Sequence, residues 1–382
     1  MEFIPKTNIL GIRTLKITRK SIEAKVDHNM AKIIKDSFTF DDVLIEPGYS
    51  TIRTRSLVDL STKIGHIKLQ IPIIAANMDT VCEYSMAKFM NDNDTFGVIH
   101  RNVLLKDRFA CVQSLYRSAV AFGVNEDLDT VISEANKYRT AILVLDIAHG
   151  DSEHAHNALK YVVQGLDYNA VLVGGNVATP KAVARMVEAG ADAVKVGIGP
   201  GAACSTRIMT GVGVPQLTAV MECAVEADIQ NVSLIADGGI RNPGDAAKAL
   251  AAGADAVMVG SMFAGTYEAP GGIWKHNNKE YKVYRGMASS EAGSGYPEGV
   301  SGYVPYKGGA YKVLEQFKKG ISSTCSYVGA GSITELQINA NFIKVTTNTV
   351  SESRPHDIVE IDYLNSNIET TNKSGPLEKL SV

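Results

Sequence analysis

The phrase Ala-Gly-Ala-Asp-Ala-Val occurs twice in this chain, at 189–194 and at 252–257. Each copy follows a segment of helical periodicity that opens on a proline, Pro180 or Pro243, and closes on a glycine, Gly190 or Gly253. Proline just inside a helix start and glycine just past its end is the asymmetry expected of helix termini. Each copy then runs into an apolar, valine-bearing stretch. A helix end leading straight into a buried strand, used twice, points to a repeating βα unit. Short apolar runs that end in small or polar residues recur at eight places: 71–77, 95–100, 119–124, 142–148, 170–177, 193–197, 233–239 and 256–261. They are rich in Val and Ile, and several are continuously apolar, as strands buried on both faces are.

Eight βα units in about 190 residues predict an α/β fold, a (β/α)8 TIM barrel. A doubly wound open sheet is the alternative. The expected organisation is a short N-terminal extension (1–37), a single catalytic barrel (38–360) with an active-site flap (266–310) and no regulatory insertion, and a polar C-terminal tail (361–382). Barrels place their sites at the C-terminal ends of the strands. The residues there are Asn77-Met78-Asp79, His100-Arg101-Asn102, Asp146, Gly174-Gly175-Asn176, the loop leading to Cys204, Asp237-Gly238-Gly239 and Gly260-Ser261. Turn chemistry accounts for any one of them. Seven such groups on one rim call for a ligand.

Composition narrows what that ligand is. A net charge of −3 argues against a nucleic-acid partner. No apolar run reaches membrane-spanning length, and the N-terminal segment lacks the apolar core of a signal peptide. The five cysteines are odd in number and scattered, which fits a reducing, cytoplasmic setting. The histidines show no zinc-like spacing.

Cys204 closes Gly197-Ile198-Gly199-Pro200-Gly201-Ala202-Ala203-Cys204, with Thr206 two residues on. A free cysteine is by default a small buried hydrophobe. Behind a glycine-rich loop, whose N–H groups can hold an anion, it also has the setting of a nucleophile presented to a ligand. The turns at Asp237-Gly238-Gly239 and Gly260-Ser261 follow the last two strands, where barrels often build a phosphate site. The Asp237 carboxylate would repel a phosphate and suits ribose hydroxyls, which donate to it. Phosphate, sugar and thiol together suggest a nucleotide substrate. The residues alone name neither the base nor the redox step.

At these positions the chain resembles the IMP dehydrogenase / GMP reductase family. Phe38-Thr39-Phe40-Asp41-Asp42-Val43-Leu44, Asn77-Met78-Asp79-Thr80-Val81, the Cys204 loop, Ala236-Asp237-Gly238-Gly239-Ile240 and Tyr284-Arg285-Gly286-Met287 are similar to family motifs. The likeness runs from about Phe38 to Asp357. It implies a homotetrameric barrel that binds a purine nucleotide (GMP or IMP) and a nicotinamide cofactor, with a covalent thioimidate between Cys204 and purine C2. The implied roles are catalysis for Cys204, Thr206 and Glu291. Asp237, Gly239, Gly260, Ser261, Tyr284, Gly286, Met287, Ala288 and Glu298 would bind substrate. Met78, Asp146, Ala148, Asn176 and Lys195 would meet the cofactor. Backbone carbonyls of Gly199, Gly201 and Cys204 would hold potassium (K+).

The two branches of the family run different reactions. The resemblance leans to the reductase, which turns GMP into IMP and ammonia with NADPH. The regulatory insertion usual in the dehydrogenase is absent between His100 and Ile142. Asp146-Ile147-Ala148-His149-Gly150-Asp151-Ser152-Glu153-His154 is similar to the reductase loop. Only Gly293-Ser294-Gly295-Tyr296 separates Ala292 from Pro297, so the Arg-Tyr pair with which the dehydrogenase activates water is missing. Against this, Pro297-Glu298-Gly299-Val300-Ser301-Gly302 and Ser351-Glu352-Ser353-Arg354-Pro355-His356-Asp357 are more like the dehydrogenase. Glu291 also falls one place later than the reductase's glutamate, and Ala202 stands where a phosphate-binding serine is expected. The alternatives are an insertion-less IMP dehydrogenase using NAD and an inactive purine-nucleotide-binding homologue.

Overall fold

A computed structural model describes residues 35–292 and 297–353. The expected tail, nearly all of the N-terminal extension and the 293–296 segment lie outside the described residues. Seven parallel strands form one sheet: β1 (Ile73–Ala75), β2 (Ala119–Phe122), β3 (Ile142–Leu145), β4 (Val171–Val177), β5 (Ala193–Val196), β6 (Ser233–Asp237) and β7 (Ala256–Val259), in the order β1-β7-β6-β5-β4-β3-β2. Helices between successive strands cover the outside, as a right-handed βαβ path requires. Residues facing both ways along β2, β3, β5 and β7 are buried, which is why β2, β3 and β7 read as unbroken apolar runs; in β5 Lys195 is the one charged residue.

The eighth run, 95–100, is where expectation and structure differ. It is not a regular strand but a stave held by single parallel bridges, Ala75↔Gly97 on one side and Ile99↔Val120 on the other. The Ala75 N–H donates to the Phe96 carbonyl at 3.2 Å, and the Ala121 N–H to the Ile99 carbonyl at 2.9 Å. The two edges of the sheet are joined through this stave. The seven strands and the stave make up the (β/α)8 barrel. Gly97 sits hard against the neighbouring turn: a β-carbon there would lie 2.6 Å from the Cys82 sulfur.

The repeated phrase has a common structural meaning. Gly190 and Gly253 take positive φ, 102° and 104°, to end their helices. The aspartate two residues on then staples the new strand to the previous one. The Asp192 Oδ2 accepts the Leu172 N–H at 2.9 Å, and the Asp255 Oδ2 accepts the Leu234 N–H at 2.7 Å. The aspartates' own N–H groups return bonds to the Leu172 and Leu234 carbonyls at 2.8 and 2.9 Å. Helix starts follow the sequence signals as well: Thr179 caps Pro180–Glu188 and Asn242 caps Pro243–Ala251.

The flap region is a three-stranded antiparallel sheet of β8 (Trp274–His276), β9 (Lys279–Arg285) and β10 (Ser301–Pro305). Asn277 and Asn278 both adopt positive φ, 48° and 58°, as the two central residues of a tight hairpin do. Trp274 packs edge-on against Tyr303 with ring centroids 6.3 Å apart. No helix among the described residues is long and apolar enough to cross a membrane.

Burial raises the Asp255 carboxyl from an ordinary 3.8 to about 6, with the Asp228 charge adding to the rise and the Leu234 N–H opposing it. The folded state therefore holds this proton up to about pH 6 while the unfolded chain releases it near 3.8, so the site costs stability above pH 6 and that cost fades as pH falls toward 4. Asp255→Asn, which keeps an acceptor for Leu234, is expected to gain about 2 kcal/mol over the parent at pH 8 and nothing below pH 4. Urea unfolding of both proteins across that range measures it.

Candidate active site

The C-terminal ends of the strands surround a cavity of about 420 Å³, within the range of small-molecule sites. Of the residues expected to form the site, Met78, Asp146, Ala148, Asn176, Lys195, Gly199, Gly201, Cys204, Thr206, Asp237, Gly239, Gly260, Ser261, Tyr284, Gly286, Met287, Ala288 and Glu298 all line it.

Its floor is a charged knot. Lys195, on β5, is 2% exposed. Its ammonium donates to the Asn176 side-chain carbonyl and, at 2.7 Å, to the Asp237 Oδ2. The Asn176 amide donates to that same Asp237 oxygen at 2.9 Å and to the Gly197 carbonyl at 2.7 Å. Gln216 adds bonds to the Val196 and Asp237 carbonyls at 2.9 and 3.1 Å. The ends of β4, β5 and β6 are thus fixed to one another through side chains. Lys195, expected from the resemblance to meet the cofactor, both lines the cavity and cross-links the strand ends beneath it.

The Cys204 loop springs from this floor. Gly197 takes φ 152°, and a β-carbon there would fall 2.0 Å from the Asp237 carbonyl oxygen. Arg207 laces the loop from behind, donating to the Ile198 and Val214 carbonyls at 3.2 and 2.6 Å. Burial pushes its guanidinium down, and the nearby Cys204 charge opposes that. Cys204 itself is exposed to the cavity side of the loop.

The flap meets this loop as a short antiparallel ladder. Cys204 bridges Gly299, the Ser205 N–H donates to the Glu298 carbonyl at 2.7 Å, and the Val300 N–H donates to the Ala203 carbonyl at 2.9 Å. Gly286 lies alongside, where a β-carbon would come 2.8 Å from the Ala203 oxygen. This ladder brings three groups into line. The Cys204 thiol donates to the Thr206 hydroxyl at 3.2 Å, and that hydroxyl donates to the Glu298 Oε2 at 2.7 Å.

Glu291 is the exception among the expected residues. Ser289 is fully buried and its Oγ accepts the Ala292 N–H at 3.2 Å, which starts a turn carrying Ser290–Ala292 out of the cavity. Glu291 is exposed there, on the side of Arg285, whose guanidinium its charge helps hold up. The carboxylate beside Thr206 is Glu298, which the sequence reading had facing the base.

On the opposite wall, Tyr284 reaches over Gly260, where a β-carbon would lie 3.1 Å from its hydroxyl. Burial pushes that phenol well up, with Asp237 and Cys204 adding to the effect, so it stays a protonated donor at neutral pH. Arg285 grips Asp79 through Nε and Nη2 at 3.0 and 2.7 Å to the same carboxylate oxygen. The sequence reading gave no role to Phe40, Arg101 or Arg241, which also line the cavity. Arg101 bonds Asp146 at 3.2 Å, and a β-carbon on Gly239 would lie 3.3 Å from the Phe40 ring. Arg101 stood in a rim motif and Phe40 in a family motif, so their signals were present. Arg241 follows the Gly238-Gly239 turn by two residues and carried no signal of its own.

Barrel, thiol loop and cleft define the class: a (β/α)8 fold with an exposed thiol at the rim of a small-molecule-sized cavity. Comparison with known proteins carries this further. The profile of the IMP dehydrogenase / GMP reductase domain matches residues 37–356. The inosine-5'-monophosphate dehydrogenase of Borreliella burgdorferi is 35% identical over 402 aligned residues, spanning 86% of this chain and 99% of that protein. Human GMP reductase 1 is 40% identical over 331, spanning 80% and 94%. The corresponding dehydrogenase of Cryptosporidium parvum is 36% identical over 392. The chain belongs to the IMP dehydrogenase / GMP reductase family, oxidoreductases of purine metabolism.

Removing the Lys195 ammonium leaves the half-buried Asp237 carboxylate short of its charged partner. Lys195→Met is expected to cost about 3 kcal/mol of stability in urea unfolding, and Asp237→Asn in the same protein to return a measurable part of it.

Proposed function

We propose that the chain is a GMP reductase, deaminating GMP to IMP through a covalent bond from Cys204 to purine C2. One observation carries the covalent chemistry of this reading: a single hydrogen-bonded chain runs from the Cys204 thiol through Thr206 to Glu298. Cys204 adds to C2 of GMP and passes its proton to the Thr206–Glu298 pair. That pair returns a proton to the amino group, so that ammonia leaves and the thioimidate remains. When bound, NADPH would supply a hydride to C2; the C2–sulfur bond would then break, releasing IMP and a Cys204 thiolate that takes a proton from solvent to restore the thiol. Glu298 takes the acid–base role that the resemblance gave to Glu291.

Asp237 would receive the ribose hydroxyls, its place fixed by Lys195 and Asn176. Tyr284 and the Gly239 and Gly260-Ser261 backbone would receive the phosphate. Met287 and Ala288 would face the base. The side of the cavity formed by Met78, Arg101, Asp146 and Ala148 is left for the dinucleotide. The homotetramer and the cytoplasmic setting belong to the same proposal. Potassium fits less well: the Gly201 carbonyl already accepts the Cys204 N–H at 3.0 Å, so one of its three expected ligands is partly spent within the turn. No step is routed through it.

The second reading, an IMP dehydrogenase, has an observation of its own. The Thr206–Glu298 pair could equally take a proton from water attacking the adduct. What favours the reductase is the four-residue connection between Ala292 and Pro297, which holds Tyr296 but no arginine to complete the Arg-Tyr pair of a hydrolytic flap.

Supplying GMP with NADPH, and IMP with NAD, and following reduced nicotinamide separates the readings. Consumption with GMP and release of ammonia are expected; production with IMP, yielding XMP, would reverse the assignment, and nucleotide binding without either turnover would leave an inactive homologue. Glu298→Gln is expected to lower kcat by about 10²–10⁴-fold with nucleotide binding kept. Glu291→Gln is expected to leave kcat within about threefold of the parent, and a large loss there would return the role to Glu291.

A further inference from the structure

Lys282 is an ammonium buried in the flap that the proposed chemistry does not use. It is 2% exposed. Its Nζ donates to the Thr266 carbonyl at 3.0 Å and to the Ala269 carbonyl. Burial pushes it below its ordinary value, and the Glu268 charge opposes that. Glu268 is engaged elsewhere, accepting the Ala310 N–H at 2.7 Å. A charged side chain held in the interior by carbonyls alone is costly, and an apolar residue of the same length would fill the space at less cost.

Its position suggests what that cost secures. Lys282 and Tyr284 are two residues apart on β9, both buried, and so share one face of the strand. Thr266 and Ala269 belong to the segment that follows the short helix Ser261–Ala264, which opens at Gly260. The ammonium therefore joins the strand that carries Tyr284 to the chain that carries Gly260 and Ser261. The rest of this junction runs to other segments: the Lys307 N–H donates to the Gly265 carbonyl at 2.7 Å and its ammonium to the Met262 sulfur at 3.0 Å, and the Tyr267 N–H donates to the Gly308 carbonyl at 2.9 Å. Those bonds tie the helix to the segment that follows β10. Lys282 is the side chain that ties it to β9.

We propose that Lys282 is a positioning residue that sets the spacing between Tyr284 and the Gly260-Ser261 turn, and thereby the grip on a substrate's terminal phosphate. This rests on the phosphate site proposed above. Lys282 touches no substrate. Its effect passes through the distance between a phenol and the backbone turn beside it, which would face one phosphate together.

The test compares GMP with guanosine, which lacks only the phosphate, by calorimetric titration of the full chain and of Lys282→Met. The parent is expected to bind GMP more tightly than guanosine. Lys282→Met is expected to lose about tenfold in GMP affinity, to keep guanosine affinity within about twofold, and to raise KM for GMP with little change in kcat. Equal weakening of both ligands would show a general structural role and overturn the proposal, as would unchanged GMP binding. If the parent itself shows no preference for GMP, the phosphate site is misplaced and the proposal falls with it, a result distinct from either of the others. Should Lys282→Met fail to fold, Lys282→Gln, which retains an N–H donor, is put through the same comparison and judged by the same outcomes.

Discussion

The bond between Lys195 and Asp237 holds the rim of this barrel together. Three neighbouring parallel strands end there, and their twist would let their C-terminal ends splay. The ammonium, the Asn176 amide and the Gln216 amide cross-link those ends where backbone pairing runs out. A lysine 2% exposed is tolerated because its charge is met by a carboxylate and an amide oxygen. The Cys204 loop leaves directly from this knot, and Gly197 approaches the Asp237 backbone too closely for any side chain. The position of the thiol is thus inherited from the knot beneath it.

The opposite wall is assembled differently. Tyr284, Gly286 and Glu298 come from a flap that is not part of the barrel and must be fastened to it. It is fastened at Lys282, at Arg285 with Asp79, and at the ladder between residues 203–205 and 298–300. Each fastening uses a different chemistry: a buried ammonium on carbonyls, a forked ion pair, and backbone pairing between segments where glycine lets two chains touch. The proton path from Cys204 to Glu298 exists only because the third is in place.

Much of this was legible in the sequence. The barrel showed in the apolar runs, because strands buried on both faces leave an unbroken signature. The repeated Ala-Gly-Ala-Asp-Ala-Val marked the units, and its aspartate proved to be a staple between strands. The stave at 95–100 read as a strand because its residues are buried like one, but burial does not report how many hydrogen bonds a segment makes. Every site residue named from the sequence except Glu291 lines the cavity, since the ends of parallel strands converge by topology. Glu291 did not, for a physical reason. Whether a flap residue faces inward depends on a turn, here the one begun at Ser289, and a shift of one residue along a turn rotates a side chain away. Arg241 is brought to the cavity by tertiary packing that local patterns do not encode.

The ladder at Cys204 has one more implication. The Gly286 N–H donates to the Val300 carbonyl at 3.1 Å, and the Glu298 N–H to the Ala288 carbonyl at 2.9 Å. The stretch between Ser289 and Glu298 is therefore a closed loop with both feet set in the same socket. Lengthening such a loop costs little, because closure entropy grows only with the logarithm of its length. A scaffold built this way can exchange one flap for another of different length without moving the Cys204 thiol. Under the proposed reading, the choice between water and hydride at one adduct becomes a matter of what is spliced between two fixed points.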